Sequence, residues 1–110
     1  MTDREFNAAM SRFLAEGGKD MEIIPERCVL LNEIFQEVFA LMGKCPEMKM
    51  NPTFATGDVV IDVPYFEVDG NEVSKLKSIL AKTDSFEIMP LTNGDLSFCF
   101  TLGHVFRKKN

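Results

Sequence analysis

The chain has no tryptophan, a single tyrosine (Tyr65) and a single histidine (His104). Ten phenylalanines carry the aromatic content instead. Phenylalanine offers apolar area without a polar tip, so these rings are expected in the core rather than on a recognition surface. The three cysteines, Cys28, Cys45 and Cys99, are odd in number and far apart. That pattern argues against a disulfide framework and against the close ligand pairs of a zinc site, and it fits a reducing compartment. No apolar run approaches the roughly 18 residues of a membrane span. The opening Met-Thr-Asp-Arg-Glu-Phe has no apolar centre for a signal peptide, so a cytoplasmic location is expected. A glycine-rich phosphate loop is also missing, because Gly17-Gly18 follows a helical pattern instead of opening one.

Clustered positive charge is lacking as well. The net charge is −5. Residues 1–43 hold eight acids and four bases, and residues 44–106 hold nine acids and five bases. Only Arg107-Lys108-Lys109 forms a basic run. Direct nucleic-acid binding, which needs concentrated positive charge, is therefore not expected. A winged-helix reader would also need a second, closely spaced helix, which the pattern lacks.

What is present reads as one domain over 1–110, with 45% hydrophobic residues. A chain of this size buries roughly two-thirds of its unfolded surface, enough for a core without staples. The clearest pattern is Phe86 to Leu102. Asn93-Gly94 tolerates the positive φ of a type I′ turn. After it Leu96, Phe98, Phe100 and Leu102 alternate with Ser97, Cys99 and Thr101, as in a strand with one apolar face. Phe86 and Ile88 flank Glu87 in the same way before the turn. A lone hairpin does not stay folded in water, so helices must cover this face.

Residues 3–16 place Phe6, Ala9, Met10, Phe13 and Leu14 on one helical stripe. Gly17-Gly18 is expected to end that helix with a left-handed cap, and Lys19 to Glu22 to form a polar connection. Pro25 opens a second helix running to Met42. Its apolar stripe holds Leu30, Leu31, Ile34, Phe35, Val38, Phe39, Leu41 and Met42, wide enough to touch two neighbours. Residues 44–57 read as an irregular stretch broken by Pro46, Pro52 and Gly57. Val59, Ile61 and Val63 form a strand that reaches an edge, bulge or break at Pro64. Asp69 or Asn71 caps a third helix over 71–82, which buries Val73, Leu76, Ile79 and Leu80.

The expected order is α-α-β-α-β-β. It divides into a helical pair (1–43) and a strand-helix-hairpin unit (58–106). The fold class is α+β, a two-layer sandwich with a small, mainly antiparallel sheet and helices packed on one face. A parallel pairing of the 58–63 strand with the hairpin would require a right-handed crossover.

No reactive constellation stands out. His104 is read as a surface histidine. Cys99, five residues earlier, points to the opposite side of the strand, so a Cys–His pair within one chain is awkward. Cys28 lies in the first turn of helix two, where the dipole lowers a thiol pKa, but also on its apolar side, where burial makes it inert. Cys45, which precedes Pro46 in the irregular stretch, is the thiol expected to be the most reactive of the three, but nothing nearby activates it. Asp69-Gly70-Asn71-Glu72 lacks the later acids of a calcium loop. No catalytic, metal or cofactor-binding residue is assigned, and no cofactor is expected.

The expected role is therefore a non-catalytic, acidic interaction module that binds another protein or a second copy of itself as a homodimer. Its candidate partner-binding residues are Met48, Met50 and Phe54 in the irregular stretch, together with Val105 and Phe106. Met48, Met50 and Phe54 can equally pin that stretch to the core. Two alternatives remain open. One is a small acidic inhibitor, of a kind viruses also encode, that docks on the basic nucleic-acid-binding site of another protein. The other is a small thiol- or histidine-dependent enzyme built on Cys45 or His104. The central helix carries the packing argument: Phe35→Ala is expected to cost about 3–5 kcal/mol in denaturant unfolding, and a loss below about 1 kcal/mol would show that the ring is not in the core.

Overall fold

A computed structural model describes residues 3–42, 48–64, 73–92 and 96–109. The elements are α1 (Asp3–Glu16), β1 (Met21–Ile23), α2 (Pro25–Met42), β2 (Lys49–Thr53), β3 (Asp58–Pro64), α3 (Val73–Lys82), β4 (Ser85–Pro90), β5 (Leu96–Leu102) and β6 (Phe106–Lys108). The fold is a small α+β fold with a four-stranded sheet in the order β2-β3-β5-β4 and a two-stranded ribbon of β1 and β6. Every described strand pair is antiparallel. No parallel pairing of β3 with the hairpin forms.

Alternation decides which face is covered. Val59, Ile61 and Val63 on β3 stand opposite Leu102, Phe100 and Phe98 on β5, and all six are buried. Phe86 on β4 continues the row, with its ring 5.0 Å from Phe100 and 6.0 Å from Phe98. The helices roof this face. Phe6, Met10 and Phe13 come from α1, Leu31, Ile34, Phe35 and Val38 from α2, and Ile79 from α3. The stripe on α2 is narrower than its sequence implies, since Phe39 is 40% exposed and stacks on Phe35 at the margin.

Three strands arise where the sequence reads as connection. β2 lies within the stretch expected to be irregular and pairs with β3 through Pro52 opposite Val59. An edge strand bonds on one side only, so a proline is tolerated there. β1 takes up the second half of the expected polar connection, continues to Ile23, and pairs with β6, Ile23 facing Phe106. This pairing brings the end of the range 58–106 against the range 1–43, at Phe106 and Ile23. Asn93 and Gly94 lie outside the described residues, as do Asp69, Gly70, Asn71 and Glu72. The last described pair of the ladder is Pro90 with Leu96.

The glycines act differently from expectation. Gly17 and Gly18 close α1 by donating to the carbonyls of Phe13 and Leu14, yet neither has a positive φ. Their value is space: a Cβ on either would run into the ring of Phe54, at 2.9 Å and 2.7 Å. The left-handed position is Gly57, with φ 77°, at the β2–β3 turn. Its N–H donates to the Thr53 carbonyl, and its own carbonyl accepts from Val105 and Phe106. A methyl group there would collide with the Phe106 carbonyl oxygen. Gly57→Ala is expected to cost about 2–3 kcal/mol through combined backbone strain and collision. Gly57→Asn, which tolerates the left-handed region but not the collision, is expected to be nearly as harmful. Chemical denaturation of both variants checks this; an unchanged midpoint for either would contradict it.

Candidate functional site

A cleft of about 650 Å³ sits where α2 begins and the strands end. Arg27, Asp58, Asp84, Ser85, Thr101 and His104 line it, with Gly103 at its floor. Each comes from the end of an element, where side chains escape the periodic packing of the core. Arg27 reaches across from the first turn of α2. Its guanidinium donates to the Gly103 carbonyl through Nε at 3.0 Å and Nη2 at 2.9 Å. The same Nη2 donates to Asp84 Oδ2 at 2.6 Å. That carboxylate oxygen also accepts the Gly103 N–H at 2.7 Å. Asp58 Oδ1 accepts the next N–H, from His104, at 3.3 Å. Two carboxylates and one guanidinium therefore hold a single backbone corner.

That corner is strained. His104 has φ 55°, the left-handed region that non-glycine residues rarely occupy. Its side chain is exposed. Among the described residues, no hydrogen bond joins the imidazole to Ser85, Thr101 or either aspartate. The cleft is therefore a polar clasp in which Arg27 donates to the Gly103 carbonyl and to Asp84 while the two carboxylates accept backbone N–H groups, with the His104 side chain exposed.

Neither described thiol joins it. Cys99 shares a sheet face with Thr101 but lies further along β5, outside the cleft, with Sγ 3.5 Å from Asp62 Oδ1, which also accepts the Ser97 hydroxyl at 2.7 Å. Burial first, then the Asp62 charge, pushes the Cys99 thiol above its ordinary value. Burial also raises Cys28, the direction opposite to the one expected from its place in the first turn of α2. Cys45 lies outside the described residues. Among the described residues, no group of three His, Cys, Asp or Glu side chains can hold a metal ion.

The five residues expected to bind a partner are placed as follows. Met48, Met50 and Phe54 are half-buried and packed on the core. Val105 and Phe106 are 0% and 3% exposed. Phe54 meets Phe106 with ring centroids 5.2 Å apart, over Gly17-Gly18. Phe54 and Phe106 thus join β6 and the β2–β3 turn to the end of α1, and the five side chains do not form an exposed patch.

The apolar groups left open lie elsewhere. Ile88 is 52% exposed and Leu96 44%, though both share the helix-side face with Phe98 and Phe86. Exposed Pro90 stands opposite Leu96 on that face, and Met89, on the other face, is 44% exposed. They cluster at the hairpin end of β4 and β5, past the helical roof. β4 has a neighbour on one side only among the described strands, so its outer backbone groups lack a ladder partner. Alternation in the sequence marks Ile88 and Leu96 as inward-facing; where the roof stops has no local signal.

Comparison with known proteins finds no matching family model, curated protein or solved structure. Among the described residues, no helix is long and apolar enough to cross a membrane.

The raised thiols carry a pH signature. A thiol whose pKa is lifted is less ionised at neutral pH, so alkylation of Cys28 and Cys99 is expected to lag a free thiol peptide and to accelerate only above its ordinary titration range. Peptide-resolved mass spectrometry over a pH series reads this directly. Labelling of Cys99 at neutral pH as fast as the free peptide would contradict the buried, Asp62-facing placement.

Proposed function

We propose that this protein acts by binding another protein, a second copy of itself included, through the open edge of β4 and the apolar strip beside it. The supporting observation is the exposure of Ile88 and Leu96 on the face that elsewhere forms the core. Contiguous apolar surface rimmed by polar groups favours docking. The free edge adds unpaired N–H and C=O groups that a partner strand can satisfy. The opposite edge, β2, carries Lys49 and a proline within the strand, Pro52, two devices that discourage pairing, while on β4 the proline, Pro90, is confined to the last position. The clasp around Gly103 fits a supporting role, because it anchors the turn between α3 and β4: Asp84 also donates its N–H to Thr101. A reducing cytoplasm is the proposed setting, since Cys28 and Cys99 are free thiols.

The test compares cross-linked capture by the wild-type chain and by the double variant Ile88→Lys, Leu96→Lys in a native lysate. Both positions are open to solvent, so thermal stability should change little, within about 0.5 kcal/mol. Species bound by the wild type should fall at least about tenfold in the double variant. Recovery should also change little with salt, because the contact is apolar and backbone-mediated. Equal recovery by both proteins would sink the reading. Capture that survives the double substitution and collapses with added salt would favour the acidic-inhibitor alternative, whose charge contacts are screened.

A further inference from the structure

We infer that the occupant of the β4 edge is a second copy of this chain, its β4 laid antiparallel to the first about a two-fold axis at Ile88. This rests on the reading of β4 as a docking edge and adds the partner and the register.

The argument is one of self-complementarity. A two-fold axis normal to the sheet sets each residue of β4 against a residue of the same face on the other copy. Two registers are then centred on Ser85–Pro90. One sets Glu87 against Glu87, placing like charges directly opposite, which is destabilising. The other sets Ile88 against Ile88, Phe86 against Pro90 and Glu87 against Met89. In that register no like charges meet, and Glu87 is the only charge on the strand. The half-exposed Ile88 side chains then cover each other. The strips beside them, each ending in Pro90 and Leu96, flank the axis on the helix side. Eight strands form one continuous sheet, Met89 lying over the stem of Glu87 on its opposite face.

Closure follows from the far edge. β2 presents Lys49 and a proline inside the strand, Pro52, which together discourage pairing, whereas the proline of β4, Pro90, stands only at the last position of its strand. One open edge and one blocked edge end the assembly at two copies rather than as a fibre.

Sedimentation velocity on the full chain, from low micromolar to about 0.5 mM, tests the partner. The wild type should pass from monomer to dimer, and Ile88→Lys should raise the dimer Kd at least about tenfold. Glu87→Gln separates the registers: Kd should stay within about twofold if Ile88 lies on the axis. Marked tightening by Glu87→Gln would indicate the glutamate-centred register and overturn the one inferred. In an Ile88→Cys variant, a short thiol cross-linker should join position 88 to position 88, as mapped by mass spectrometry. A dimer unaffected by Ile88→Lys, or a link from position 88 to another site, would also overturn it. A chain monomeric at every concentration removes the second copy as occupant. If Ile88- and Leu96-dependent capture of a different protein persists in that case, the docking edge stands; if capture fails too, both readings fall.

Discussion

The structure depends on the pairing of β3 with β5. Three apolar residues on each strand meet across the ladder, and all six are shut from water. Burial of a large aliphatic or aromatic side chain is worth about 1.5–3 kcal/mol over exposure, so this central pair is the main reason for the sheet to form. It also dictates everything around it. A face this apolar must be roofed, and α1, α2 and α3 are the roof. The opposite face, with Asp62, Ser97, Cys99 and Thr101, has no such demand and holds a short polar network instead.

A second layer of constraint ties the ends of these elements together. Gly57 turns β2 into β3 and accepts hydrogen bonds from Val105 and Phe106. The ring of Phe106 packs against Phe54, which lies over Gly17-Gly18. Ile24 donates to the Val105 carbonyl, and its own carbonyl receives Cys28 as α2 begins. The segment after β5 is thus locked at several points, with Arg27 and Asp84 gripping Gly103 from the cleft. Because the Arg27–Asp84 pair is partly exposed, its ionic part is modest, and the charge-assisted bonds to backbone groups are the stronger contribution. The price of this lock is one strained residue, His104.

Where the roof ends, the same alternation that builds the core leaves apolar groups in water. Ile88 and Leu96 obey the sheet pattern but have no helix above them. A fold that covers most of a face and leaves one rim open has a surface suited to docking at no cost in fold specificity. Oligomerisation and β-strand addition both use such rims.

Much of this was legible in the chain. The spacing of Phe6, Met10 and Phe13, the Pro25 start of α2, and the alternation from Leu96 to Leu102 are local patterns read over three to seven residues, and the helices and the two main strands follow from them. The α+β class follows as well, because an apolar strand face needs a helical cover. The strands β1, β2 and β6 were not legible: three residues are too few to show a period, and Pro52 argues against a strand until an edge position makes it harmless. Nor was the site. Arg27 and Gly103 lie 76 positions apart and Arg27 and Asp84 57 apart, and no short-range spacing relates them. The sequence by itself determined which residues face inward, since that depends on periodicity alone. Only the tertiary structure decided which of those inward residues found a cover and which polar groups met at the cleft, because both depend on how long elements end against one another in space.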